Sequence, residues 1–154
     1  MAGEVPKVVV IGFGNPGRLD DGLGVALASA LEWRRLPGVT IEADYQLNVE
    51  HAAVAATHDV AVFVDADVSC PPPFRFERLE PEVKLSFSSH SLSPASVLGV
   101  ARSLLGAMVN GYVLGIRGYA FNEFGERLSP EAVANLDEAV EFLVKWIQAR
   151  DFAR

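Results

Sequence analysis

Asp20 and Asp21, Asp65 and Asp67, and His90 are the residues whose types and positions suit chemistry. Asp20-Asp21 follows a glycine-rich turn, Gly12-Phe13-Gly14-Asn15-Pro16-Gly17, and precedes an apolar pattern at helical spacing. Asp65 closes the apolar run that starts at Val60, and Asp67 comes two residues later, on the same side of a continuing strand. His90 lies in the polar run Ser88 to Ser93, ahead of Pro94. A carboxylate ending an apolar strand is costly unless it is solvated, paired or bound to a metal. Two carboxylate oxygens and one imidazole nitrogen meeting at a rim, with a position left open, suit a divalent first-row metal. Each residue also has a purely structural reading. Asp20 or Asp21 serves as a helix N-cap, which leaves the other for chemistry. Asp65 opens an Asx turn. His51 and His58, on or beside an alanine-rich segment, read as surface or packing residues.

The elements that must position these side chains alternate along the chain. Lys7 to Gly12 is β-branched and nearly all apolar, as in a strand covered on both faces. Leu23, Leu27, Ala30 and Leu31 recur at helical spacing until Pro37-Gly38. Val39 to Ala43 reads as a second strand, Val49 to Ala56 as a helix, and Asp59 to Asp65 as a third strand. Cys70-Pro71-Pro72-Pro73 reads as a surface loop. Phe74 to Leu79 alternates apolar and charged side chains, the period of a strand with one wet face. Ser93-Pro94 and Ser129-Pro130 carry the signal of an N-cap followed by proline, and Gly106 suits a helix end. Asn110 to Arg117 supplies a fifth strand. Val133, Leu136, Val140, Leu143 and Ile147 mark one face of a closing helix. Strands separated by helices predict an α/β fold, a three-layer αβα sandwich around a largely parallel five-stranded sheet. Sites in such folds gather beyond the carboxyl ends of the strands. That is where Asp21, Asp65 and His90 are expected to converge.

The whole chain of 154 residues suits one domain, residues 1–154. Half its residues are hydrophobic and 21% are charged, which excludes disorder. Thirteen basic against twenty acidic residues give a net charge of −7, unsuited to a general nucleic-acid binder. No apolar run reaches the roughly 18 residues of a membrane span, and the amino end lacks a secretion signal, so a cytoplasmic location is expected. One cysteine, Cys70, forms neither an internal disulfide nor a multi-cysteine zinc site. There is no H-E-x-x-H and no G-x-S-x-G, so zincin and serine-nucleophile chemistry lack support. The turn at Gly12 to Gly17 matches the dinucleotide fingerprint G-x-G-x-x-G, but the carboxylates of Asp20 and Asp21 would oppose a pyrophosphate.

These residues resemble the nickel–iron hydrogenase maturation endopeptidases over nearly the whole chain. That family opens with an apolar strand, G-x-G-N, a spacer, two acidic residues and glycine, matched here by Gly12-Phe13-Gly14-Asn15 and Asp20-Asp21-Gly22. A strand ending in Asp-Ala is matched by Val64-Asp65-Ala66, and a loop histidine ahead of a helix by Ser89-His90-Ser91-Leu92. The resemblance implies a protease that removes the carboxyl-terminal extension of a hydrogenase large-subunit precursor after nickel insertion. It places the metal-contacting and catalytic trio on Asp21, Asp65 and His90, by an aspartic-type or metal-assisted route, with the nickel supplied by the substrate. Asp44-Tyr45-Gln46-Leu47 falls in a loop that varies within the family, where it is given a substrate-facing role. The same turn is similar to the G-x-G-N-P-G opening of bacterial peptidyl-tRNA hydrolase, an esterase whose catalytic histidine element has no counterpart at Leu19-Asp20-Asp21-Gly22. A nucleotide-binding module without enzymatic activity is the third alternative.

Overall fold

The computed structural model describes residues 5–83 and 91–152. Among them, five strands form a single sheet: β1 (Val8–Phe13), β2 (Val39–Asp44), β3 (Val60–Asp67), β4 (Phe74–Leu79) and β5 (Asn110–Arg117). The helices are α1 (Leu23–Arg34), α2 (Val49–Ala56), α3 (Pro94–Leu105) and α4 (Pro130–Ala149), and a short 3-10 turn, Leu19–Gly22, leads into α1. The strand order is β2-β1-β3-β5-β4, with β2, β1, β3 and β5 parallel and β4 antiparallel at the edge. This is the expected sandwich.

Strand periodicity divides the core into two layers. Val8 and Val10 of β1 point to one face, with Val60, Val62 and Val64 of β3, and pack with Leu27 and Leu31 of α1 and Leu143 and Ile147 of α4. Val9 and Ile11 point to the other face, with Ala61 and Phe63, and meet Ala52 and Ala55 of α2 and Val97, Leu98 and Ala101 of α3. Because both faces of β1 and β3 are covered, their sequences run apolar without alternation. The caps behave as the residue types require. Ser93 Oγ accepts from the Ser96 amide, Ser129 Oγ accepts from the Ala132 amide, and Gly106 closes α3 in the left-handed region at φ 66°.

Val133 does not join the buried face of α4; it is exposed. It points in nearly the same direction as Val140, seven residues on, but sits in the first turn, where Ala132 alone of residues 130–134 is covered. Cys70 also departs from the surface-loop expectation, being buried with its thiol toward the Gly115 carbonyl. Among the described residues, no helix is long and apolar enough to cross a membrane.

Candidate functional site

The sheet order creates one switch point. From β1, the chain leaves to β2 on one side and returns to β3 on the other, so a crevice opens beyond the carboxyl ends of β1 and β3. The glycine-rich turn follows β1 there, and Asp65 stands near the end of β3, paired in register with Gly115 of β5. Glycine lets α1 approach this edge backbone to backbone. A Cβ added to Gly24 would lie 2.3 Å from the Val64 carbonyl oxygen and 2.6 Å from that of Phe13. Gly14, at φ 135°, bends the chain away from β1 in a conformation that side chains avoid.

Asp21 lies in the 3-10 turn ahead of α1, and its Oδ2 accepts the Asn15 N–H at 2.8 Å. Asp65 Oδ1 accepts the Ala66 N–H at 2.8 Å. Burial is the main influence on Asp65, and the charges of Asp21 and Asp67 add to it. Together they outweigh the Ala66 amide and Arg75 and push its carboxyl up to about 6. Asp21 therefore stands within electrostatic reach of Asp65. His90 lies outside the described residues. The chain that follows it is tied in at Leu92, which is buried and whose N–H donates to the Leu47 carbonyl at 3.0 Å. Among the described residues, no three His, Cys, Asp or Glu side chains group closely enough to hold a metal ion. Asp21 and Asp65 could supply two of the three ligands.

The capping expectation for Asp20 and Asp21 is corrected. Neither side chain caps: Gly22 precedes α1, and no side-chain cap hydrogen bond forms at the 3-10 turn or at α1. The carboxylates are drawn instead to amides outside the helix. Asp20 is fully buried and accepts from the Tyr119 and Ala120 amides at 2.8 and 2.9 Å and from the Ser129 amide and hydroxyl at 2.8 and 2.7 Å. Burial alone would raise its pKa, but these four donors outweigh it and hold the carboxyl below its ordinary value.

The Asx turn is made by Asp67 rather than Asp65. Asp67 Oδ1 accepts from the Ser69 and Cys70 amides at 2.9 Å, and Oδ2 pairs with Arg75 Nε at 2.6 Å. Against burial, these partners hold Asp67 down at about 2. The pair crosses over Gly115, where an added Cβ would come within 2.9 Å of Asp67 Oδ2. Sequence reading missed this pair. Its only signal was the alternation of Phe74-Arg75-Phe76, which cannot say which strand lies opposite.

The remaining candidates take structural roles. His51 Nδ1 accepts the Asn48 N–H in a capping box for α2, and His58 bonds the Thr40 hydroxyl and the Val54 carbonyl. Burial pushes the Cys70 thiol up, which opposes nucleophilic use. The Asn15 N–H, which a phosphate would need, is taken by Asp21, and this removes support from the nucleotide alternative. Beside the carboxylates, Gly14, Pro16, Val25, Ala43, Asp44 and Tyr45 line an open cleft of about 230 Å³.

No protein-family model and no curated protein matches the sequence. Solved structures do match. The hydrogenase maturating endopeptidase HybD from E. coli superposes with a TM-score of 0.76 at 24% identity, covering 94% of each chain. The [NiFe] hydrogenase maturation protease HycI from Thermococcus kodakarensis KOD1 gives 0.70 at 21%, over 96% of this chain and 95% of that one. A hydrogenase 2 maturation peptidase from Thaumarchaeota archaeon SCGC_AB-539-E09 gives 0.69 at 20%, over 92% and 98%. These three structural neighbours are hydrogenase maturation endopeptidases, and the chain shares their α/β fold over 92–96% of its length.

Proposed function

We propose that this chain is an endopeptidase that removes the carboxyl-terminal extension of a nickel–iron hydrogenase large-subunit precursor after nickel insertion. What supports the reading is that the charge of Asp21 acts on Asp65 beyond the carboxyl ends of β1 and β3, in a fold shared with such peptidases. Two carboxylates within mutual repulsion, one of them driven up by burial, make a place where positive charge is favoured. The nickel of the substrate is that charge. Asp21, Asp65 and His90 engage it and bring the scissile peptide to the rim. There a water activated by a carboxylate of the cluster or polarised by the metal adds to the carbonyl, and the C–N bond breaks as the amine of the extension leaves with a proton.

The test is incubation with a nickel-loaded precursor, followed by mass spectrometry of its carboxyl end. Wild-type protein should release the extension. Asp21→Asn and His90→Ala should retain the wild-type circular dichroism spectrum and lower processing by roughly 100-fold or more, the scale of losing a group that acts in the transition state. Full processing by both variants would rule out the trio.

A further inference from the structure

Phe124 is 84% exposed, the largest exposure of any large apolar side chain among the described residues. Single exposed apolar residues are ordinary. The setting of this one is not, because the segment between β5 and α4 that holds it is fastened on both sides. The Leu19 N–H donates to the Gly125 carbonyl at 3.0 Å, and the Gly125 N–H donates to the Gly17 carbonyl at 2.8 Å. The Asp20 N–H reaches the Ala120 carbonyl at 2.9 Å. The buried Asp20 carboxylate gathers the Tyr119, Ala120 and Ser129 amides from the same segment and from the cap of α4. Leu19 is held at φ 52°, a region that costs a branched residue energy and persists only where the surroundings enforce it.

A buried charge and a strained residue thus lock a segment whose phenyl ring stands in water. Such a ring adds nothing to the core, yet it loses little freedom when a partner covers it. Rigid aromatic anchors of this kind dominate the energy of protein contacts. The partner of the locked segment is the turn that leads directly into Asp20-Asp21. Two other exposed apolar side chains, Tyr45 after β2 and Val68 after β3, follow parallel strands to the same edge of the sheet.

We infer that Phe124 is a docking anchor, whose ring enters an apolar recess on the folded protein substrate and sets the scissile segment over Asp21 and Asp65. The inference rests on the endopeptidase reading above and adds that a folded surface, besides the cleaved segment, is recognised.

Steady-state processing of the nickel-loaded precursor tests it, with wild-type protein, Phe124→Ala, Phe124→Tyr and Trp33→Ala. Trp33 is 81% exposed near the far end of α1 and serves as the control. Phe124→Ala should raise KM about tenfold or more with kcat within about twofold, the pattern of lost uniform binding, and without a change in melting temperature. Phe124→Tyr should keep the wild-type KM, and Trp33→Ala should alter neither constant. If Phe124→Ala shows a wild-type KM while processing proceeds, the anchor is wrong and the endopeptidase reading stands. If wild-type protein does not process the precursor, that reading fails and the anchor goes with it.

Discussion

Asp65 and Asp67 lie two residues apart on one strand and sit at opposite ends of the carboxylate range, at about 6 and about 2. The difference is one of partners. Asp67 has two amides and a guanidinium, whereas burial and two neighbouring carboxylates act against the charge of Asp65. The pKa of Asp65 is raised in the folded state, so its contribution to stability is complete below about 3.8. It is lost as pH climbs to about 6 and is constant beyond that. Asp65→Asn keeps an acceptor for the Ala66 amide and removes the charge. It should therefore stabilise the protein at pH 8, by at most about 3 kcal/mol at roughly 1.4 kcal/mol per pKa unit, and leave stability near pH 3.5 unchanged. Thermal melts at the two pH values check this; an equal difference at both would show that charge is not the cause. A candidate site that is strained by its own charge is the expected signature of function held at the expense of stability.

At the scale of elements, the decisive contact is α1 against the carboxyl ends of β1 and β3. Gly24 sits in the first turn of α1 with two carbonyl oxygens where a Cβ would go. Alanine is the better helix former by about 1 kcal/mol, so propensity alone predicts that Gly24→Ala stabilises. Close packing predicts the reverse. To clear the backbone oxygens the helix must move, at a cost of about 1–3 kcal/mol or more. We expect the melting temperature to fall by roughly 2–12 °C, at about 2–4 °C per kcal/mol for a chain of this size, with processing impaired because Asp21 shifts with the helix. A rise in melting temperature would show that the contact is looser than the structure places it.

At the scale of the molecule, the edge beyond β5 is closed by an aromatic cluster. Phe74 and Phe76 of β4 meet Phe142 and Trp146 of α4, Tyr112 of β5 stacks on Phe76, and Phe152 packs on Trp146. The Tyr112 hydroxyl donates to the Phe152 carbonyl, which ties the last described turn to the sheet. Phe152→Ala removes a buried ring and should cost about 3–5 kcal/mol, lowering the melting temperature by about 6 °C or more. Loss of one cooperative transition in favour of two would instead show that this edge unfolds by itself. Because the cluster lies on β4, β5 and α4, its loss should affect stability without changing the pairing of β1 with β3 on which the candidate site depends.

The amino-acid sequence alone determined the elements and the edge of the sheet at which the candidate site is proposed. Apolar runs without alternation mark strands covered on both faces, helical spacing and Ser-Pro caps mark the helices, and the carboxyl-end rule brings Asp21 and Asp65 to one edge. These signals are local, carried by residues within a turn or two of one another. The partners were decided only by tertiary structure. Asp20 looks like a cap in sequence but bonds to residues about a hundred positions away, and Asp67 finds Arg75 across Gly115 of a third strand. Propensity and periodicity describe how a segment folds on itself. Which distant amide or guanidinium neutralises a carboxylate depends on strand order, and strand order is set by the packing of the whole chain.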